Sequence, residues 1–130
     1  MQEIEDYKQQ IVDELEAVGV KIYPNGIRKY EPPYVQLYPA QNYIEIVRTS
    51  VGTNEYNISV TFNLSIIAGS EDRDTSQGHL NSLMSKCLKV VRNLNEVEVT
   101  SFVSIDQNGG RLLAANIAFS NELNINEGDL

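Results

Sequence analysis

Residues 55–67 read EYNISVTFNLSII, a run in which apolar and polar side chains alternate. Alternation with a period of two places successive side chains on opposite faces of an extended strand. One face carries Tyr56, Ile58, Val60, Phe62, Leu64 and Ile66, and the other carries Asn57, Ser59, Thr61, Asn63 and Ser65. This segment therefore predicts a long strand with one face in a core and an uncharged polar face that meets solvent or a partner.

Two amphipathic helices flank this strand in the sequence. The first is predicted from Gln2 to Val18 and is followed by Gly19, a residue type that commonly ends helices. The second is predicted from a cap at Thr75 or Ser76 to about Asn93. In both, apolar residues recur at spacings of three and four, which gives each helix one apolar stripe. The stripes are Ile4, Tyr7, Ile11, Val12, Leu15 and Val18 in the first helix, and Leu80, Leu83, Met84, Cys87, Leu88, Val91 and Leu94 in the second.

Shorter strands complete the predicted order. A strand at 20–23 ends in the turn Pro24-Asn25-Gly26, a strand at 34–38 ends at Pro39, and residues 43–49 are compatible with a third. After the second helix, strands at 97–105 and 113–119 are joined through Asn108-Gly109-Gly110 into a hairpin. Residues 121–130 lack a pattern and are expected to form a loose tail.

The order of these elements favours an α+β fold. Helices that are few and separated, combined with hairpin-joined strands, are typical of a sheet with helices on one side. We expect a mixed, mostly antiparallel sheet of four to six strands with two helices packed on one face. The chain has 130 residues and contains no internal repeat or linker, so residues 1–130 are predicted to form a single domain.

The charge of the chain is strongly negative, with 18 acidic and 10 basic residues and a net charge of −8. A negative surface repels phosphates, so tight wrapping of nucleic acid is not expected. The simplest role of this charge is to keep the protein soluble. A more specific role is to form a surface past which DNA slides without sticking. Residues 1–6 are acidic and polar, unlike a secretory signal, and no apolar run has the roughly 18 residues of a membrane span, so synthesis in a cytosol is expected.

Residue types suited to catalysis or metal binding are scarce. His79 is the only histidine and Cys87 the only cysteine, which argues against an intrachain disulfide and a His- or Cys-rich zinc site. His79 is expected at the surface, and Cys87 in the core because it falls on an apolar stripe. Asp72-Arg73-Asp74 begins like a calcium loop, but Gln77 and Leu83 occupy the positions of the required glycine and glutamate. We expect no catalytic residues, no cofactor, no metal and no enzymatic activity.

Three segments are candidates for contacts with other proteins. Six of the seven tyrosines lie between Tyr23 and Tyr56, and tyrosine is enriched in protein interfaces, although half-buried strand packing also explains them. The candidates are the loop of Arg28, Lys29, Tyr30 and Glu31, the loop of Asp72, Arg73 and Asp74, and the polar strand residues Asn57, Ser59, Thr61 and Asn63. Simple solvation of the charged loops is the alternative.

The layout resembles that of phage tail terminator proteins, also called tail completion or head–tail joining proteins. The similar features are the acidic first helix, the stretch Val20-Lys21-Ile22-Tyr23-Pro24, and the proline-proline segment from Glu31 to Leu37. The long alternating strand, the Leu-rich helix and the final glycine-turn hairpin complete the set. The resemblance extends over residues 4–119 in order and texture, contains no diagnostic motif, and transfers no functional residue.

The resemblance implies a virion protein of the tail or neck, assembled in the host cytoplasm. Such a protein forms a homo-oligomeric ring, usually a hexamer, at the head-proximal end of the tail tube. The ring stops polymerisation of the tube and joins it to the head connector. The implied partners are further copies of the chain, the tail tube protein and the head connector or stopper protein. DNA passes through the ring without specific binding, and no membrane is involved.

Other functions remain open from the sequence. A head-completion or stopper protein and the cap of a phage-like injection machine belong to the same structural class. A cytosolic adaptor that binds a host protein as a monomer is a different class, and an enzyme is the least expected. An adaptor would bind a host partner, whereas an enzyme would have a pocket with converging titratable groups.

Overall fold

The first helix, α1, is held by its apolar stripe and by a glycine at its C-terminal end. The computed structural model describes residues 2–24, 33–49, 55–70, 74–92, 94, 96–99, 103–107 and 110–126. In it α1 spans Gln2–Ala17 and buries Ile4, Tyr7, Ile11 and Leu15. The Gly19 amide donates to the Glu16 carbonyl and the Val20 amide to the Leu15 carbonyl, both at 3.0 Å. Gly19 has φ 87°, so this is a Schellman end in which glycine takes the left-handed position, as the sequence predicts.

The second helix, α2, spans Asp74–Val91 and buries Ser76, Leu80, Cys87 and Val91. The prediction of a cap at Thr75 or Ser76 was wrong, because both residues lie inside the first turn of α2. Ser76 is 2% exposed, so its side chain packs inward instead of facing the solvent. The predicted C-terminal end near Asn93 is two residues beyond the observed one, a difference within the usual uncertainty of helix ends.

The six strands that the structure describes form one sheet. They are β1 (Ile22–Pro24), β2 (Tyr34–Thr49), β3 (Glu55–Ser70), β4 (Glu96–Val99), β5 (Val103–Gln107) and β6 (Gly110–Asn126). The order is β1-β2-β3-β6-β4, and β5 also pairs with β6. Only β1 and β2 pair in parallel, and the other described pairs are antiparallel. The alternating segment of the sequence is therefore the central strand β3.

Both helices cover the same face of the sheet, which we call the helix face. The alternating apolar residues of β3 form one core cluster with the buried residues of α1 and α2. Phe62 lies at its centre and is fully buried. Its ring centroid is 6.0 Å from that of Tyr7, 5.4 Å from that of Tyr43 and 6.1 Å from that of Phe119. The expected α+β fold, a mixed and mostly antiparallel sheet with two helices on one face, is confirmed.

The strand boundaries differ from the predicted ones at three places. Pro39 does not end a strand, because β2 continues through it to Thr49. The predicted strand at 97–105 is two strands, β4 and β5, which pair with different parts of β6. The prediction of a loose tail from Asn121 was wrong for residues 121–126, which belong to β6 and pair with β3 as far as Glu55↔Asn126.

Tyr7 gives the fold a dependence on alkaline pH. Burial, and next the carboxylate of Glu14, raise the pKa of Tyr7 from 10.0 to about 12. A pKa raised by folding means that the stabilising contribution of neutral Tyr7 is complete below pH 10 and is lost as the pH rises through 12. Its hydroxyl is buried and has no hydrogen-bond partner among the described atoms.

We expect Tyr7→Phe to be at least as stable as the wild type at pH 7, because it removes an unsatisfied buried hydroxyl. Between pH 10 and 12 the variant should lose less stability than the wild type, since it has no phenol to ionise at this position. Urea unfolding at pH 7, 10 and 11 measures both effects. Tyr38→Phe, at a half-buried tyrosine of β2, is the control. Equal alkaline losses in wild type and Tyr7→Phe would contradict the assignment to Tyr7.

Candidate interaction surface

The face of the sheet opposite the helices has an uncharged polar centre, which we call the polar face. It consists of Asn57, Ser59, Thr61, Asn63 and Ser65 from β3 and of Asn116, Ala118 and Ser120 from β6, which are their neighbours in the sheet. The five β3 residues are half-buried, since their neighbours in adjacent strands partly cover them. Side chains of this size leave a shallow surface with many hydrogen-bonding groups and no charge to desolvate at its centre.

Cross-strand hydrogen bonds fix two rows of the polar face. The Ser65 hydroxyl donates to Asn116 Oδ1 at 2.6 Å. Asn124 Nδ2 donates to Asn57 Oδ1 at 3.0 Å. Each pair consists of direct register partners in β3 and β6. Because these side chains are already held in place, a partner that binds here meets a surface that needs little further ordering.

Three exposed carboxylates lie on the rim of the polar face. Glu45 of β2, Glu98 of β4 and Glu122 of β6 are exposed, and their register neighbours place them on this side of the sheet. Exposed carboxylates repel approaching polyanions, and salt weakens this repulsion. The rim therefore repels phosphate-bearing molecules from the uncharged centre.

An irregularity of β2 opens a small cavity beside the polar face. Pro39 pairs with Phe62 and Ile44 with Val60, so the four residues between them oppose Thr61 alone. The cavity has a volume of about 150 Å³ and is lined by Asn42, Thr61, Glu98, Ala118, Phe119 and Ser120. This volume is below the roughly 300–1,000 Å³ of sites that enclose small-molecule ligands. The bulge thus shapes the surface without forming a ligand pocket of ordinary size.

An apolar cluster borders one end of the polar face. Tyr34, Ile67 and Ala114 are buried there, and Tyr23 and Leu112 pack against them. The rings of Tyr23 and Tyr34 meet edge to face with centroids 5.9 Å apart. These two tyrosines of the predicted interface segment are therefore packed within the chain, which is the ordinary strand packing that the sequence left open.

The sequence-predicted interface residues fall into three groups. Asn57, Ser59, Thr61 and Asn63 lie together on the polar face. Asp74 is exposed at the start of α2, in the helix layer, so the structure does not bring it to the polar face. Arg28, Lys29, Tyr30, Glu31, Asp72 and Arg73 lie outside the described residues.

A basic cavity lies between the C-terminal end of α1 and the middle of α2. It has a volume of about 260 Å³, and its lining includes Lys21, His79 and Lys86. The Lys86 ammonium lies 3.7 Å from where a side chain at Gly19 would begin, beside the C-terminal end of α1. Lys21 Nζ lies 5.3 Å from the centroid of the Tyr23 ring. The negative end of the α1 dipole and an aromatic face account for these two cations without a bound anion.

The one histidine and the one cysteine of the sequence occupy different environments. His79 is exposed on α2, whereas Cys87 is fully buried in the core. Burial raises the pKa of the Cys87 thiol from 9.0 to about 12, which keeps it protonated and unreactive at neutral pH. Within the described part of the chain, no group of three or more His, Cys, Asp or Glu residues is arranged to hold a metal ion.

Three exposed apolar side chains on strands at the sides of the sheet were not predicted from the sequence. Ile44 is 39% exposed and Ile46 69% exposed on β2, and Val99 is 45% exposed on β4. Ile44 and Ile46 flank Glu45 in a short apolar–polar–apolar strand pattern, which was the available signal. Their exposure follows from the position of β2 in the sheet, and that position is not encoded locally.

No protein-family model matches the sequence, and no curated protein matches it. Of the helices that the structure describes, none combines the length and apolar character needed to cross a membrane.

Proposed function

We propose that the protein is a structural subunit of a phage virion, the tail terminator. In this role copies of the chain form a ring at the head-proximal end of the tail tube, stop tube polymerisation and join the tail to the head connector. The order of helices and strands, on which the resemblance to this family rests, supports the proposal. The long alternating strand is the centre of the sheet, and the Leu-rich helix packs over it.

The polar face is the observation that carries the proposal. A sheet with helices on one side leaves its other side for solvent or for another protein. Here that side is lined by half-buried Asn, Ser and Thr residues, two rows of which are fixed by cross-strand hydrogen bonds. Direct hydrogen bonds are a regular part of interfaces between protein subunits, and charged residues are depleted from the core of an interface, as they are from the centre of this face. We assign Asn57, Ser59, Thr61 and Asn63 to contacts within the assembled tail.

Electron microscopy of the assembled particle tests this function. A tagged copy of the chain is purified from cells during phage production, together with everything that it binds. We expect a six-fold ring at one end of tail tubes, beneath the head connector. Free protein with neither tubes nor heads would contradict the proposal and would favour an adaptor with a host partner. A ring on the connector of tail-less heads would favour a head-completion protein.

The charge of the chain predicts that the protein does not hold DNA. With a net charge of −8 and carboxylates at the rim of the polar face, linear double-stranded DNA should not be retarded by the protein in a gel, even at low salt. Low salt is the most demanding condition, because screening there is weakest and any basic patch acts most strongly. A basic protein of similar size is the positive control. Retardation that weakens as salt is added would show a phosphate-binding surface and contradict a passive passage.

A further inference from the structure

The outer edge of β2 has few partners in the sheet. β1 pairs only with Val35, Gln36 and Leu37 of this strand. Beyond Leu37, no other described strand pairs with that side of β2. An edge strand presents backbone donors and acceptors in the direction of the missing neighbour, and long apolar edges are sites of pairing with another chain. Ile44 and Ile46 are exposed on this edge, at residues 44–49, which we call the β2 edge.

A second edge lies across the same end of the sheet. β4 pairs with β6 from Ile117 to Ser120, and no described strand pairs with the outer side of β6 beyond Ser120. We call residues 121–126 the β6 edge. Leu123 is half-buried and Ile125 is fully buried, both on the helix face. The β6 edge therefore offers backbone groups next to an apolar row.

The two edges lie on either side of one three-stranded segment of the sheet. Ile46 pairs with Ile58, and Ile58 pairs with Leu123, so β2, β3 and β6 are neighbours at this end. β3 runs antiparallel to both outer strands, and β2 and β6 consequently run in the same direction. The segment thus has two different edges on opposite sides. A contact between two different surfaces of identical subunits is heterologous, and such contacts close into rings or continue as filaments.

We propose that the β2 edge of one copy of the chain pairs in parallel with the β6 edge of the next copy, which continues the sheet from subunit to subunit. The inference rests on the proposed function, since it names the contact by which copies of the ring join. Rotation about an axis roughly along the strands keeps their direction, and this is why the pairing is parallel. The partner of each edge is a second copy of the chain, because every copy has both a β2 edge and a β6 edge, on opposite sides of the same three strands.

The side chains favour a shift of two residues in this pairing. Without a shift, Glu45 of one copy stands beside Glu122 of the next, and like charges at neighbouring strand positions are destabilising. A shift of two residues places Glu45 beside Asn124. The same shift places Ile44 beside Leu123 and Ile46 beside Ile125 on the helix face. It removes the repulsion and covers both exposed isoleucines, and a stagger between strands is also what closure of a sheet requires.

Cysteine cross-linking tests the pairing. Glu45 and Asn124 are both exposed, so Glu45→Cys and Asn124→Cys place thiols on the surface, whereas Cys87 is fully buried. Mild oxidation of the double variant should give a ladder of covalent oligomers on a denaturing gel. Either single variant should stay monomeric. Covalent trapping detects weakly populated contacts, so absence of a ladder overturns the inference. Dimers from Glu45→Cys alone would show pairing of β2 with β2 and would also overturn it.

Two further substitutions in the double-cysteine chain show whether the β2 edge is responsible for the ladder of oligomers. Ile46→Lys adds a charge at the middle of the edge and should abolish the ladder, with circular dichroism confirming that the subunit is folded. Val99→Lys changes an exposed apolar residue of β4 and is the matched control, for which the ladder should persist. A ladder unaffected by Ile46→Lys contradicts the proposal, and so does an equal loss with Val99→Lys.

These results are separable from the test of the proposed function. A ladder together with absence from tails would support edge pairing and contradict the terminator role. Presence at the end of tail tubes without a ladder would support the role and contradict the edge pairing.

Discussion

Replacement of Phe62 by alanine should lower the free energy of unfolding by about 3–5 kcal/mol, a large part of the roughly 5–15 kcal/mol that stabilises a typical domain. Phe62 is fully buried and contacts rings from three elements, Tyr7 of α1, Tyr43 of β2 and Phe119 of β6. Truncation removes apolar burial, leaves a cavity among these rings, and forfeits the aromatic contacts. Urea unfolding followed by far-ultraviolet circular dichroism measures the change.

The control for Phe62→Ala is the adjacent residue on the other face of the strand. Thr61→Ala keeps the strand and changes the half-buried polar face, so its cost should be below about 1 kcal/mol, which is typical of substitutions away from the core. Because the two residues share backbone and strand, the difference between them reports the core alone. A cost for Phe62→Ala near that of Thr61→Ala would mean that the core relaxes around the loss.

The alternation of residues 55–67 was sufficient to predict the centre of the fold. A strict period of two assigns each side chain to a face, and half-buried and buried residues of β3 alternate in this way from Asn57 to Ile66. The same alternation predicts the polar face without reference to the neighbours of β3 in the sheet. Gly19 was equally informative, since a helix end with left-handed backbone favours glycine and the observed φ is 87°.

The extent of β2 was not predictable, because it depends on neighbours that are distant in sequence. A proline has no amide hydrogen and interrupts a strand that is paired on both sides. Pro39 lies beyond the residues that β1 pairs with, and it is tolerated there while β3 pairs on the other side. The sequence around Pro39 does not indicate where the pairing with β1 ends. The strand was therefore expected to stop at Pro39, and the exposure of Ile46 was missed.

The C-terminal part of β6 presents the same difficulty. Asn121 interrupts the apolar row of β6, and the short alternation that resumes beyond it at Leu123 and Ile125 was overlooked. In the structure β3 supplies a partner along this whole segment, and Ile125 is fully buried. The length of β6 is set by the length of β3. The polar face was predictable from one strand, whereas the edges required the order of all six.

Gly69→Ala should destabilise the protein by about 1–3 kcal/mol from backbone strain alone, because an alanine at a positive φ adopts a conformation that only glycine takes readily. Gly69 has φ 142° and lies where the register of β3 with β6 shifts, just before the chain leaves the sheet for α2. A side chain there would also approach Ser76 Oγ to 2.8 Å, which is closer than real contacts of this kind. Gly69 in the bulge and Ser76 in the first turn of α2 are thus in close contact.

A double-mutant cycle separates the two causes. Ser76→Ala removes the hydroxyl and leaves a carbon 3.7 Å from the added methyl group, an ordinary contact distance. Gly69→Ala should therefore cost less in the Ser76→Ala background than in the wild type, and the difference measures the steric part. Gly78→Ala is the control for the substitution itself: Gly78 lies within α2 with open space around it, so alanine should stabilise by about 0.5–1 kcal/mol. Urea unfolding of the five chains gives all the values. A neutral Gly69→Ala would show that the bulge accepts a side chain, and the position of α2 would then depend on core packing alone.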